Sequence, residues 1–259
     1  VDDLIAQLLI QRGITNYDEA KAFFRPELNQ LHDPFLMKDM HKAVERIGQA
    51  MTNHENILVY GDYDVDGTTS VALMSSYLME TYPQVATYIP DRYLEGYGIS
   101  FQGIDFAADN DISLIIALDC GIKAIDQIKY AKEKGIKVIV CDHHRPGNIL
   151  PDAVAILDPK QKDCEYPYKE LCGCGVGFKL IQALASKRGK TIDDLILYLD
   201  LVATAIAADI VPITGENRAL AYYGLMVINE NPRTGIKALI DQTKKRELTI
   251  TDVVFFIAP

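Results

Sequence analysis

Long apolar runs are missing from this sequence: none approaches the roughly 20 residues that a bilayer-spanning helix needs, which excludes helical membrane insertion. No secretory leader is visible in it either, since it opens on charge and an amphipathic pattern. An initiator methionine is also missing, and a start at Val1 fits a processed or trimmed end. Cysteines are few and odd in number, five, and several stand in apolar surroundings. That argues against a disulfide framework and for a reducing, cytoplasmic compartment. Basic charge is short as well: 26 Lys and Arg against 36 Asp and Glu leave a net charge of -10. A protein that simply coats nucleic acid is thereby disfavoured. An enzyme acting on phosphates is not, because bound divalent cations reverse the field wherever the acidity is concentrated. There is no internal repeat and no low-complexity segment. What is present, 49% apolar and 24% charged residues, is an ordinary globular composition for one large or two modest domains.

The first fifty residues read as helices. Leu4, Ile5, Leu8 and Leu9 share a face before Gly13, Asn16 caps a short helix that stops before Pro26, and Val44, Ile47 and Met51 mark a third. From Asn56 the pattern alternates, with strands predicted at 56–61, 85–89, 113–118, 137–141 and 153–157. Helices are predicted at 68–81, 100–109, 122–134, 175–188, 192–207 and 215–228, and Pro159 to Gly173 reads as a long surface loop. This order predicts an α/β fold, a parallel β-sheet flanked by helices, over residues 56–259, with a helical N-terminal extension over 1–55. The apolar run Val253 to Ile257, two residues from the end, leads to the expectation of further chain beyond Pro259.

The chemistry is written at the ends of the apolar runs. The first is followed by Asp62, Asp64 and Asp66 in GDYDVDG, the third by Asp119-Cys120-Gly121, and the fourth by Asp142-His143-His144. In an open parallel sheet those ends border the ligand crevice, and carboxylates gathered there repel one another unless cations neutralise them. A metal site follows. A calcium loop of the EF-hand type is excluded because Leu73 stands where its twelfth-position glutamate is needed. Mixed nitrogen and oxygen donors at 142–144 suit manganese, zinc or iron. Thr68 is expected to open the next helix, whose free amides suit an anion. Asp209 ends the apolar segment Leu201 to Ala208, either as a metal-bound carboxylate or as a helix-end residue turned to solvent. Cys172 and Cys174 lack the paired spacings of a zinc site and read as part of a glycine-rich loop leading into a helix.

GDYDVDG, YIPDR at 88–92, DCG at 119–121, DHH at 142–144 and DLVATAIAAD at 200–209 stand in the order found in the DHH phosphoesterases. Within that superfamily the chain resembles the RecJ-type branch of single-strand-specific DNA exonucleases, also through GCGVGFKL at 173–180, ENR at 216–218 and the N-terminal pattern. The resemblance implies two manganese or magnesium ions held by Asp64, Asp66, Asp119, His143 and Asp209, with Asp119 bridging. Asp142 and His144 would stand behind the ligands or face phosphate, although either could ligate. The activity implied is hydrolysis of single-stranded DNA from the 5' end to 5'-mononucleotides in repair and recombination, with a single-strand-binding protein and a helicase as possible partners. Arg92 is either a phosphate contact or half of an Asp91–Arg92 surface pair; Asn217 and Arg218 are either a helix-cap region or strand contacts. Tyr93, Tyr97 and Phe101 are either base-stacking or packing residues. Tyr60 departs from the family, replacing a frequent histidine, as do Ala205 and Ile206, replacing glycine and threonine. Alternative readings are a phosphodiesterase of short oligonucleotides or cyclic dinucleotides, an inorganic pyrophosphatase, which the missing imidazole at Tyr60 disfavours, and a non-catalytic DNA-binding scaffold.

Overall fold

A computed structural model describes residues 2–243 and 245–258; Val1 and Pro259, on which the expectations about the chain's ends fall, lie outside the described residues. Among the described residues five strands form, β1 (Asn56–Gly61), β2 (Val85–Tyr88), β3 (Ile112–Leu118), β4 (Lys137–Cys141) and β5 (Ala155–Leu157). All pair in parallel, in the order β2-β1-β3-β4-β5. The chain leaves β1 for β2 on one side and returns to β3 on the other. The topological switch point therefore lies between β1 and β3, where ligands bind in open sheets.

Strand alternation sends side chains to two cores. Ile57, Val59, Leu114, Ile116, Leu118 and Ile139 face one, and Leu58, Tyr60, Ile115, Ala117, Val138 and Val140 the other. Among the helices, α1 (Asp3–Ile10) and α2 (Tyr17–Phe24) precede α3 (Met40–Thr52), and α4 (Val65–Met79) follows β1. Next, α5 (Phe101–Asp109) and α6 (Ile125–Glu133) cover the second face, through Ile104, Ala107, Ile128 and Ala131. The first face is covered by α4 together with α7 (Gly173–Ser186), α8 (Leu199–Ala208) and α9 (Gly215–Glu230). Met40, Ala43, Ile47 and Ala50 of α3 belong to the same core, so that core runs across the expected boundary at residue 55. A final group, α10 (Thr234–Thr243), α11 (Ile250–Asp252) and a π-helical turn over Val253–Ile257, packs beside it, with Val253 and Ile257 buried.

Several helix boundaries differ from expectation: α6 begins at Ile125 where 122 was expected, α7 runs Gly173–Ser186 where 175–188 was expected, and two more have a clear cause. The helix after β1 begins at Val65, because Asp64 Oδ1 accepts the Gly67 amide at 2.9 Å and caps it three residues earlier than Thr68. The predicted helix 192–207 divides into a 3-10 segment, Ile192–Tyr198, and α8. Pro159 to Cys172 contains no regular element.

Candidate metal centre

The switch point brings together what the sequence scatters. Asp66 lies in the first turn of α4, buried, with Oδ2 accepting the Gly173 amide at 2.6 Å and Oδ1 the Cys174 amide at 2.7 Å. These are free donors at the N-terminus of α7, so one carboxylate starts a second helix. Asp119 follows β3 in the left-handed region, φ 58°, its amide donating to Cys141 O at 2.8 Å. A Cβ at residue 173 would lie 2.5 Å from Asp119 Oδ1, so the α7 terminus can approach this closely only with glycine there. Asp209 ends α8, at the end of a helix whose dipole disfavours negative charge.

His143 is the meeting point. Its Nε2 lies 3.3 Å from Asp119 Oδ1, 3.4 Å from Asp209 Oδ2 and 3.9 Å from Asp66 Oδ2. Asp66, His143 and Asp209 form one group of donor atoms able to hold an ion, and Asp119, His143 and His144 a second that shares His143. Burial drives the titrations: Asp66 is pushed up to about 7, with Asp209 adding, and Asp209 up to about 6, with Asp64 adding. Asp119 is raised well above the usual carboxylate range by burial and then by Asp66, while burial lowers His143 to about 4. The imidazole is therefore neutral, the state a metal ligand requires.

Asp119 Oδ1, Asp209 Oδ2 and both ring nitrogens of His143 are buried with no hydrogen-bond partner among the described residues. Such orphaned groups are rare unless something is meant to bind them. Adjacent ligands in an octahedral shell with bonds of about 2.1 Å stand about 3 Å apart, close to the separations here. The donor set thus fits a hard divalent cation that also accepts nitrogen.

Asp142 has no oxygen to spare. Oδ1 accepts the amides of His143 and His144 and approaches His144 Nδ1 at 2.7 Å, and Oδ2 accepts the Ile122 amide at 2.9 Å. Burial pushes its carboxyl up, but these bonds outweigh burial and hold it below the usual range. In return Asp142 raises His144, whose Nε2 stands 3.3 Å from the Tyr97 hydroxyl. That hydroxyl donates to Asp119 O at 3.2 Å. Tyr97 meets Tyr63 edge-on at 6.0 Å between centroids, and the exposed Arg92 lies 4.7 Å over the Tyr63 ring. Arg92 and Tyr97 thereby form one wall beside the cluster. Tyr93 is 91% exposed, and Phe101 packs edge-on against Tyr130.

Not every expected residue converges. Asp64 is exposed, spends Oδ1 on its cap and belongs to neither donor group. Asn217 is fully buried and donates to Glu170 O and Pro212 O, and Arg218 donates to Phe23 O and lies over that ring. These side chains tie α9 to a loop and to α2, as the helix-cap alternative for 216–218 has it. The preceding Glu216 is buried among Lys179 Nζ at 3.1 Å, the Tyr166 hydroxyl at 2.7 Å and the His32 amide at 2.9 Å. Tyr60, wholly buried, donates to Gly98 O at 2.9 Å and accepts the Ser100 amide at 3.0 Å, bracing the loop that carries Tyr97. Cys172 Sγ accepts the Gly175 amide and caps α7, and all five cysteines are free and buried. Sequence reasoning missed Asp158, buried directly after β5 with Oδ2 unpartnered and its carboxyl pushed up to about 7 by burial. The same signal, an acid ending the apolar run AVAIL, was available at 153–157.

Among known proteins, the model of the DHH family, N-terminal domain, matches residues 56–206. The single-stranded-DNA-specific exonuclease RecJ of Bacillus subtilis (strain 168) is 45% identical over 93% of this chain and 30% of its own length. A crystal structure of exonuclease RecJ bound to manganese is similar over 90% of this chain and 58% of its own, with 31% identity and a TM-score of 0.79. The structure of RecJ in complex with Mn2+ from Thermus thermophilus also reaches 0.79, at 28% identity, over 97% of this chain and 35% of its own. The chain spans less than half the length of the curated relatives it matches.

Proposed function

The chain belongs to the DHH family, and from that premise we propose that it carries the catalytic centre of a two-metal phosphodiesterase degrading single-stranded DNA from the 5' end to 5'-mononucleotides. The observation that carries this reading is the convergence of Asp66, Asp119 and Asp209 on His143 Nε2, with buried oxygens left unpartnered at the switch point. Similarity to exonucleases whose structures hold manganese supports Mn2+ or Mg2+ as the cation. Asp66, Asp119, His143 and Asp209 are the residues that would hold the ions, with Asp64 at the exposed rim. When bound, the ions supply Lewis acidity toward phosphoryl oxygen and lower the pKa of water.

The chain's own groups do the rest. Helix α7 fixes the Asp66 carboxylate through two amides, leaving no rotameric freedom to be lost on binding. Asp142 lies against His144 Nδ1 and raises the imidazole's pKa, which leaves Nε2 free to face a phosphate or leaving oxygen and exchange a proton with it. Arg92 offers a two-pronged phosphate contact, and the Tyr63 and Tyr97 rings offer faces for bases. Five free, buried cysteines support action in the reducing cytoplasm, in DNA repair and recombination. A helicase and a single-strand-binding protein are proposed suppliers of the strand.

The test is manganese-dependent mononucleotide release from a 5'-labelled single strand by the full-length protein, beside its Asp119→Asn and His143→Ala variants. Release in order from the 5' end, reduced to background in both variants, is expected. Hydrolysis of dinucleotides without any action on the longer strand would replace this reading with the short-oligonucleotide one. Strand binding without hydrolysis by the wild type would support the scaffold.

A further inference from the structure

One end of the sheet takes no part in the chemistry described so far. Asp158, just past β5, accepts the Lys160 amide through Oδ1 at 2.7 Å, and this tight turn fixes where Lys160 leaves the sheet. The ammonium of Lys160 has a loose ionic partner, Glu170 at 3.6 Å, whose side chain is 47% exposed. Beyond it opens a cleft of about 590 Å³, lined by Lys38, Arg145, Lys160, Gln161 and Lys162 among others. Arg145 follows His144 directly, so the cleft adjoins the metal centre. Lys38 is held by Asp163, whereas Arg145 and Lys162 are exposed and make no ion pair among the described residues. Gln161 is 4% exposed; its amide donates to Ile156 O and Asp158 O, and its Oε1 has no donor among the described residues. In a chain of net charge -10, four cations against Asp163 and Glu170 make this cleft a local exception.

We propose that the cleft is the track for the sugar–phosphate backbone of the single strand beside the scissile linkage, with Lys160 exchanging Glu170 for a phosphate at its inner end. This rests on the phosphodiesterase reading above. A weak, half-solvated ion pair is readily given up for a charge-assisted bond to phosphate. Gln161 Oε1 then accepts from a base N–H on the adjoining nucleotide.

Two measurements on the full-length protein test it. The first is anisotropy of a 3'-labelled oligothymidylate with Ca2+ in place of Mn2+, as a function of salt; the second is steady-state hydrolysis with Mn2+. Lys160→Gln should weaken binding and raise KM about tenfold or more, the loss of one charge-assisted bond, with a smaller change in kcat. Its salt dependence should become shallower by about 0.7 in logarithmic slope, the value for one phosphate contact on a single strand. Lys160→Arg should recover most of the affinity, and the Arg145→Gln/Lys162→Gln double variant should weaken binding with Mn2+ affinity unchanged. Unchanged affinity and slope in both Lys160→Gln and the double variant would overturn the track. So would a parallel loss of Mn2+ affinity in Lys160→Gln, which would make the lysine a support of the metal centre. A wild type that binds the strand through these residues yet hydrolyses nothing would leave the track standing and sink the nuclease reading instead.

Discussion

Asp119 holds a left-handed backbone, φ 58°, that costs a non-glycine residue about 1 kcal/mol or more. Its carboxyl is buried among other acids, and Oδ1 has no donor. Nothing in its surroundings favours a charged side chain until a cation arrives. Asp119→Asn is therefore expected to raise the melting temperature of the cation-free protein while ending hydrolysis; a thermal melt without metal beside an activity assay checks both. Gly173→Ala makes the converse case. A methyl group 2.5 Å from Asp119 Oδ1 must displace that carboxylate, and a fall of about 10- to 100-fold in Mn2+ affinity is expected by calorimetry. The carboxylates were legible in the sequence because an acid after an apolar run marks a strand tip. Gly173 was not legible as a neighbour of Asp119, because that approach depends on how α7 crosses the sheet. Asn217 and Arg218 show the opposite case. Their motif was visible, but only the packing of α9 against α2 and the 159–172 loop reveals that the Asn217 amide and Arg218 Nε are engaged within the fold.

At the level of elements, one carboxylate joins two helices: Asp66 sits in the first turn of α4 and its oxygens take the first amides of α7. Side-chain periodicity located both helices but not this joint, which lies between segments remote in sequence. The early start of α4 was concealed for a local reason, since Asp64 looked like a ligand and also acts as a cap. Close packing of α8 and α9 depends on Gly224, where a Cβ would lie 2.1 Å from Leu199 O and 2.5 Å from the Ala203 methyl. Gly224→Ala should force these helices apart and destabilise the protein by about 1–3 kcal/mol, read from urea unfolding, with the fold retained. Helix α10 went unpredicted although Ile236, Leu239 and Ile240 stand at helical spacing; the segment is short and buries only Ile236 fully.

For the molecule as a whole, the cluster links stability to pH and to metal. Asp66 and Asp209 have folded pKa values pushed up to about 7 and about 6, against roughly 3.9 in an unfolded chain. The folded state then holds these protons more tightly than the unfolded state. Their contribution favours folding at low pH and is lost as pH rises through that window. Cations compete for the same oxygens and reverse the trend. The rise in melting temperature on adding Mn2+ should accordingly be small near pH 5.5 and larger near pH 8, which parallel thermal scans with and without the ion can check. An equal rise at both values would mean that the titrating carboxyls are not the ones that bind.

Local patterns in the chain were enough to establish a parallel α/β architecture and acids at the strand ends, because both follow from periodicity and from the direction of each strand. The strands at 56–61 and 137–141 and the Asn16 cap follow from neighbours within a few residues. Tertiary structure alone decided that β1 and β3 are adjacent, and hence that Asp66, Asp119, His143 and Asp209 meet at one point. It also decided that Tyr60 faces the second core, away from the cluster, and that Asp158 and Lys160 stand beside DHH. The division has a physical cause: propensity and capping act over one or two turns, whereas desolvation and charge depend on which distant segments exclude water together.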